Sequence, residues 1–187
     1  MGKLYIVRHA QVKIEPNVPS AQWNLSEAGV RSTEALAASE SFDLVKKIWH
    51  SPEPKALQTA QVIAERASLE VRMHAGLREL AADVGFLPQH EFRARVGAYL
   101  LGKDDPAFEP YGDAQARIVS AVREIVEEAK GDSVALVTHG RILTVLYSYL
   151  LGRRLGQKEW QSIPLPALSV IDTNSWQVER GFLREAF

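Results

Sequence analysis

The sequence predicts an α/β fold, a three-layer α/β/α sandwich with a mainly parallel central sheet. Short apolar runs that suit buried strands alternate with stretches whose apolar residues recur at helical spacing. This alternation is typical of parallel sheets covered by helices on both faces. The chain has 187 residues, 46% hydrophobic and 24% charged, which is enough for one domain with its own core. We therefore expect a single domain over residues 1–187.

The first part of the chain predicts three strands separated by two helices. Leu4–Val7 is an unbroken apolar run, as in strands that are buried on both faces of a sheet. Ser26 is a good N-cap residue for the first helix, and Pro54 suits the first turn of the second. The expected strands are residues 4–7, 47–50 and 69–73, and the second helix covers residues 53–67.

The pattern weakens between residues 81 and 111, where glycine and proline are frequent. We expect a small helical cap to be inserted here, with one helix over residues 92–101. A long amphipathic helix, an apolar strand, another helix and a closing pair of strands are then expected at residues 113–129, 134–138, 142–151, 168–171 and 176–182. Core or edge packing is expected for Trp160, Trp176, Phe182 and Phe187.

Composition and charge exclude several classes of protein. The chain has no cysteine, which excludes a disulfide scaffold, a thiolate zinc site, an iron–sulfur cluster and a cysteine nucleophile. Its 22 basic and 23 acidic residues leave no positive excess to neutralise a nucleic-acid backbone. The N-terminal apolar run ends at Arg8 and is too short for a signal peptide or a membrane span. We expect a cytoplasmic protein that binds neither nucleic acid nor membranes, and its oligomeric state stays open.

Polar side chains follow three of the predicted strands at the point where each strand ends. Arg8 and His9 end the first strand, His50 the second, and His139 with Gly140 the fourth. Parallel sheets bind ligands beyond the carboxyl ends of their strands, and the helices that follow would aim free N–H groups at the same place. A guanidinium, two imidazoles and helix N-termini suit a phosphoryl group. A single such histidine would more simply be a hydrogen-bonded strand-end residue, but two beside an arginine favour a site.

The strand-end histidines do not predict a metal site. Three histidines could in principle bind a metal ion, but no carboxylate accompanies them at the spacing of a ligand. We therefore expect no metal and no organic cofactor.

Four short segments follow one another along the chain in a characteristic order. They are Leu-Tyr-Ile-Val-Arg-His-Ala at residues 4–10, Ser-Pro-Glu-Pro-Lys-Ala-Leu-Gln-Thr-Ala at residues 51–60, Leu-Arg-Glu-Leu at residues 77–80 and Val-Thr-His-Gly at residues 137–140. Together they resemble the motifs of the histidine phosphatase superfamily, the phosphoglycerate-mutase-like proteins. Leu25–Gly29 also fits a helix start that this family has between its first two motifs, so the resemblance covers nearly the whole chain.

The resemblance implies a role for individual residues. His9 would be the nucleophile that forms a phosphohistidine, attacking as a neutral imidazole whose other nitrogen is held by a backbone carbonyl. Glu79 would protonate the leaving oxygen and later deprotonate water, which favours a raised pKa; otherwise it is an ordinary solvated glutamate. The implied phosphate-binding residues, of which Arg8 and His139 also stabilise the charge in transfer, are Arg8, Lys55, His139 and Gly140.

The chain departs from the family pattern at several positions. Lys55 stands where the family has arginine, so it loses the planar fork that grips two phosphate oxygens, and it could instead be a solvated lysine at a helix start. Ala10 replaces the usual glycine. Gln11 replaces a common glutamate, and Asn17 is the nearest counterpart of a family asparagine. With His50, these two residues are candidates for lining the pocket.

These observations predict a metal-independent phosphomonoester hydrolase that acts through phosphohistidine on a small phosphorylated metabolite. A mutase is disfavoured, because the family's mutases are longer and carry large insertions. Two alternatives stay open: a non-catalytic module that binds or signals through a phosphate ligand, and a phosphatase that acts on phosphohistidine in proteins.

Overall fold

A sheet of six strands, in the order β3-β2-β4-β1-β5-β6, forms the centre of the computed structural model, which describes residues 2–85 and 87–182. Strands β1, β4, β2 and β3 pair in parallel, whereas β5 runs antiparallel to both β1 and β6. The predicted α/β class with a mainly parallel sheet is confirmed. The strands are Lys3–Arg8 (β1), Val45–His50 (β2), Glu70–Met73 (β3), Ser133–Thr138 (β4), Ala167–Asp172 (β5) and Val178–Arg180 (β6).

Helices cover both faces of the sheet. They are Glu27–Ser39 (α1), Pro54–Ala67 (α2), Gln89–Leu100 (α3), Tyr111–Ala129 (α4), Gly140–Leu150 (α5) and Gln157–Ser162 (α6), with short 3₁₀ turns at Ser20–Gln22 and Ala75–Leu77. One core cluster joins the sheet to α1 and α2, and the other joins it to α3, α4, α5 and α6. Ile6 packs in one cluster and its neighbour Val7 in the other, so β1 is buried on both faces as its unbroken apolar run predicts.

Several element boundaries differ from the sequence prediction. The Ser26 hydroxyl accepts a hydrogen bond from Gly29 N at 3.0 Å, which confirms the predicted cap of α1. The sequence does not predict helix α6, because its six residues bury only Trp160 and are too few to display a helical period. Strand β6 is shorter than residues 176–182, since Trp176 has a φ of 58°, a left-handed conformation that a strand does not accept. Phe187, expected to pack in the core or at its edge, lies outside the described residues.

The two ends of the segment 81–111 are joined by a short antiparallel pairing of the backbone. Ala82 and Phe108 form an antiparallel bridge, which is flanked by hydrogen bonds from Asp83 N to Ala107 O at 2.7 Å and from Glu109 N to Ala81 O at 3.0 Å. Helix α3 lies within this segment and packs against α6. The role of the segment as a cap over a ligand stays a prediction, as does the single-domain organisation.

The sheet register sets where the functional side chains emerge. Strand β4 lies between β1 and β2, with Arg8 paired to Thr138 and His50 paired to Val137. The chain leaves all three strands at the same level: His9 N donates to Thr138 O at 2.9 Å and Ser51 N to Val137 O at 3.1 Å. Residues that follow these strands therefore meet at one edge of the sheet. None of the helices in the described part of the chain combines the length and apolarity needed to cross a membrane.

Candidate active site

The two histidines that directly follow β1 and β4, His9 and His139, face each other. Their ring centroids lie 5.0 Å apart with an angle of 60° between the ring planes, and both side chains are buried. The predicted meeting of His9 and His139 at the carboxyl ends of neighbouring strands is thus observed.

His9 is arranged as a neutral imidazole with one free nitrogen. Its Nδ1 lies 2.7 Å from the carbonyl oxygen of Ala10. A carbonyl only accepts hydrogen bonds, so Nδ1 carries the proton and Nε2 keeps its lone pair. Burial lowers the pKa of His9 to about 3, and the positive charges of Arg8 and Lys55 act in the same direction. The imidazole is therefore neutral near pH 7, as an attacking nitrogen must be.

Arg8 lies against the start of helix α5. A Cβ atom at Gly140 would come within 2.8 Å of the carbon and two nitrogens of its guanidinium, so any other residue at this position would displace the guanidinium. Arg8 Nη1 donates to Ile163 O, whereas the buried Nε has no partner among the described residues. Burial lowers the pKa of Arg8 to about 10, which still leaves the group charged at neutral pH. The site thus holds an anchored cation with a spare donor.

His139 is completely buried, and its two ring nitrogens have different surroundings. Nε2 lies 2.7 Å from Ser51 Oγ and 3.4 Å from Glu53 Oε1. Nδ1 has no partner in the described part of the chain. The pKa of His139 lies well below its ordinary value, first because of burial and then because His9 and three cations, Lys55, Arg141 and Arg8, lie near it. His139 is therefore neutral in the empty site.

Glu79 caps helix α5, which corrects two expectations. Its carboxylate accepts hydrogen bonds from Ile142 N at 2.9 Å and from Arg141 N at 3.3 Å, and it pairs with Arg141 Nε at 3.2 Å. These N–H groups at the helix N-terminus are therefore occupied and not free for an anion. Burial raises the pKa of Glu79, but Arg141 and the backbone N–H groups together hold it below its usual value. The pKa is lowered, opposite to what a resting proton donor favours, and Glu79 is not an ordinary solvated glutamate.

A buried ion pair between Glu53 and Lys55 completes the site. Lys55 Nζ lies 2.6 Å from Glu53 Oε2 and 2.6 Å from Ser20 O, and only 7% of the side chain is exposed. The alternative of a solvated lysine is therefore wrong. Glu53 Oε1 also accepts a hydrogen bond from Glu79 N at 2.8 Å. Sequence analysis missed Glu53; the available signal was a carboxylate between two residues of a motif, Ser51 and Lys55.

A family model described as the histidine phosphatase superfamily (branch 1) matches residues 4–181. The chain belongs to the histidine phosphatase superfamily. Nearly all of its length falls within the match, including His9, His139, Lys55 and Glu79.

Relatives within the superfamily include both mutases and phosphatases by name. The probable phosphoglycerate mutase GpmB of Yersinia pestis is 27% identical over 166 residues, covering 81% of this chain and 76% of that protein. YhfR of Bacillus stearothermophilus has the same fold, with a TM-score of 0.81 at 20% identity over 100% of this chain and 98% of that one. A mycobacterial glucosyl-3-phosphoglycerate phosphatase with inorganic phosphate has a TM-score of 0.75 at 23% identity, over 98% of both chains. These relatives support an enzyme of one of the two kinds.

The three residues predicted to line the pocket, His50, Gln11 and Asn17, lie at the edge of the site or outside it. His50 is buried at the end of β2, where its Nδ1 lies 2.7 Å from Ser51 O. Gln11 is exposed, and its carbonyl accepts a hydrogen bond from Ser26 N at 3.0 Å at the start of α1. Asn17 is exposed in a turn. Within the described residues, neither Gln11 nor Asn17 hydrogen-bonds to Arg8, His9 or His139.

The charges of the site fit an anion better than a metal ion. Three cations, Arg8, Lys55 and Arg141, surround the histidines together with two carboxylates, Glu53 and Glu79. In residues 2–85 and 87–182, no three histidine, aspartate or glutamate side chains are grouped so that they could hold a metal ion.

Proposed function

We propose that this protein hydrolyses small phosphomonoesters through a phosphohistidine on His9, without a metal ion or organic cofactor. One observation carries the proposal: Nε2 of a neutral, buried imidazole keeps its lone pair beside a charged guanidinium and a second imidazole. A lone pair in this position can attack phosphorus, and the cations around it stabilise the charge on the phosphoryl oxygens.

The proposed reaction has two steps. In the first, His9 Nε2 forms a bond to phosphorus while the bond to the leaving oxygen breaks, and that oxygen takes up a proton. In the second, a water oxygen attacks phosphorus, the N–P bond breaks, and the water gives up a proton. Arg8 and His139 bind the phosphoryl oxygens in both steps, with Gly140 giving the space for Arg8. Lys55 contributes its charge next to the histidines.

We assign the transfer of protons to Glu79. An ionised carboxylate, favoured by its lowered pKa, suits the removal of a proton from water in the second step. In the first step Glu79 needs a proton that enters with the substrate, because its carboxylate is ionised in the empty site. A phosphomonoester that binds as the monoanion brings such a proton.

Hydrolysis is proposed in preference to transfer between substrate positions. A mutase must hold and reorient a bisphosphorylated intermediate, and the family's mutases use large insertions for this purpose. The segment 81–111 is short, and its described residues before the start of α4 carry one helix, α3. We infer that it covers a small phosphorylated substrate in one orientation.

Trapping of the intermediate tests the proposal. A panel of radiolabelled phosphomonoesters is mixed with the protein, with and without a chelator, and quenched rapidly without acid. We expect an acid-labile, base-stable adduct that is absent in His9→Ala and unchanged by the chelator. His90→Ala, which removes an exposed histidine, is the matched control and should trap as much adduct as the parent protein.

Four outcomes would contradict the proposal. A trapped adduct that persists in His9→Ala removes the assigned nucleophile. Activity that is lost on chelation and restored by zinc or magnesium removes the metal-free mechanism. Binding of phosphate without turnover of any phosphomonoester favours the non-catalytic module, and turnover of phosphohistidine in proteins alone favours that substrate.

A further inference from the structure

Glu53 is the residue through which three members of the site are joined. One carboxylate oxygen, Oε2, pairs with Lys55 Nζ at 2.6 Å. The other, Oε1, accepts a hydrogen bond from Glu79 N at 2.8 Å and lies 3.4 Å from His139 Nε2. The side chain is 11% exposed, so these contacts hold a charge in a largely water-free position.

The position of this carboxylate decides which nitrogen of His139 carries the proton. A lone pair on Nε2 would face the negative oxygen of Glu53 at 3.4 Å, whereas an N–H at Nε2 can donate to Ser51 Oγ at 2.7 Å and turns its positive end toward Glu53. The second arrangement is favoured electrostatically, since the N–H dipole then lies close to a negative charge. Nδ1 then carries a lone pair, and it is this buried nitrogen that has no partner among the described residues.

We propose that Glu53 is a positioning residue that fixes His139 as the Nε2–H tautomer, so that the site takes up one proton for each phosphoryl dianion it binds. A lone pair on Nδ1 cannot donate to a phosphoryl oxygen, and two lone pairs repel each other. A proton must therefore lie between them. When the group binds as a dianion, this proton comes from solvent. The inference rests on the proposed function, because it concerns how the same site recognises its phosphoryl group.

The surrounding charges are consistent with protonation on binding and not before it. Burial and nearby cations hold the pKa of His139 low in the empty site. A phosphoryl dianion offsets those cations, and Glu53 stabilises the imidazolium that results. The titratable and charged groups that act on His139 are Arg8, His9, Glu53, Lys55 and Arg141, and Glu79 lies beyond them, paired with Arg141.

Isothermal titration calorimetry with inorganic phosphate counts the protons. The titration is run at about pH 8.5, well above the second pKa of phosphate groups, in buffers with different ionisation enthalpies. We expect the parent protein to take up close to one proton per phosphate. Glu53→Gln should take up close to none, because the neutral side chain no longer favours a proton on Nε2, and His139 with its proton on Nδ1 can bind the dianion directly. Glu40→Gln is the control: it neutralises a carboxylate that pairs with Arg180, outside the site, and should leave the count unchanged.

Nitrogen-15 spectra of labelled histidine give a second readout. The parent protein should show His139 as the Nε2–H tautomer without phosphate, and Glu53→Gln should shift it toward Nδ1–H. Zero proton uptake by the parent protein overturns the inference even if Glu53→Gln does not fold. Uptake and nitrogen shifts that are the same in Glu53→Gln as in the parent also overturn it.

Neither measurement requires turnover, so the inference and the proposed function can fail separately. A protein that binds phosphate with proton uptake but traps no phosphoenzyme would retain the inference and lose the hydrolase. A protein that traps an adduct on His9 but takes up no proton with phosphate would retain the hydrolase and lose the inference.

Discussion

Glu79 Oε1 accepts a hydrogen bond from the backbone nitrogen of Ile142 at 2.9 Å, so a motif carboxylate caps the helix that follows the second histidine. The contact fixes Glu79 beside the site and neutralises part of the helix N-terminus. It also keeps the carboxylate ionised. An anion that binds at this helix end would therefore meet N–H groups that already bind a negative charge of the protein itself.

Glu79→Gln should separate substrates by their leaving groups. An alkoxide leaves poorly without a proton, and we expect a loss of ~10²–10⁴-fold in kcat/KM on alkyl phosphates, the usual range for general acid catalysis. A nitrophenolate leaves without help, so the first step on nitrophenyl phosphate should change little and a burst should appear as the second step becomes limiting. Rapid-mixing kinetics on both substrates checks this. Equal losses without a burst would mean that Glu79 only shapes the pocket.

The same substitution should change stability in a pH-dependent way. The pKa of Glu79 is lower in the folded protein than in the unfolded chain, so its ionised form stabilises the fold. This contribution is complete above the unfolded pKa of ~4.3 and is lost as the pH falls through the folded pKa. We expect Glu79→Gln to lower the free energy of unfolding by ~1–3 kcal/mol at neutral pH. Urea denaturation should show the difference in the free energy of unfolding between the two proteins narrowing below about pH 4. A difference that is constant with pH would contradict the prediction.

Lys55 and Glu53 should behave as a coupled pair. Lys55→Ala leaves a buried carboxylate without its cation, which costs ~3–5 kcal/mol of stability in comparable pairs. The double variant with Glu53→Gln should recover most of that loss. A kcat/KM that is lower in the double variant than in Glu53→Gln alone, by the equivalent of ~2–4 kcal/mol, would identify a phosphate contact by Lys55.

Lys55→Arg keeps the charge and should retain activity. Denaturation and kinetics are measured on the parent protein, Lys55→Ala, Glu53→Gln and the double variant. Together they separate the effect on stability from the effect on kcat/KM. If Lys55→Ala leaves both stability and kcat/KM unchanged, the ion pair has neither role.

The low pKa of His9 predicts where activity falls in acid. A histidine whose pKa is lowered to about 3 stays neutral, and nucleophilic, far below the ordinary pKa of ~6.5. We therefore expect kcat/KM for an alkyl phosphate to be maintained between about pH 7 and 5, where the phosphate also becomes monoanionic. Circular dichroism over the same range controls for unfolding. An acid limb centred near pH 6.5 in a folded protein would contradict the assignment.

The sequence predicts which residues meet at the site better than it predicts their charges and pKa values. Arg8, His9 and His139 could be placed together because each follows an apolar strand, and parallel strands end at the same edge of a sheet. Glu53 could not be found in this way. Its role depends on Lys55 turning inward and on the backbone of Glu79, neither of which is visible as a local pattern. The pKa of Glu79 likewise depends on N–H groups of a helix distant in sequence, so its direction requires the fold.

The close approach of Arg8 to Gly140 has a consequence for how this sequence can vary. The space that a side chain at position 140 would need is the space that the guanidinium occupies. A mutation that adds even a methyl group at Gly140 must displace the guanidinium of Arg8. The effects of substitutions at positions 8 and 140 on stability should therefore not be additive, since a smaller side chain at position 8 leaves the room that an alanine at position 140 needs.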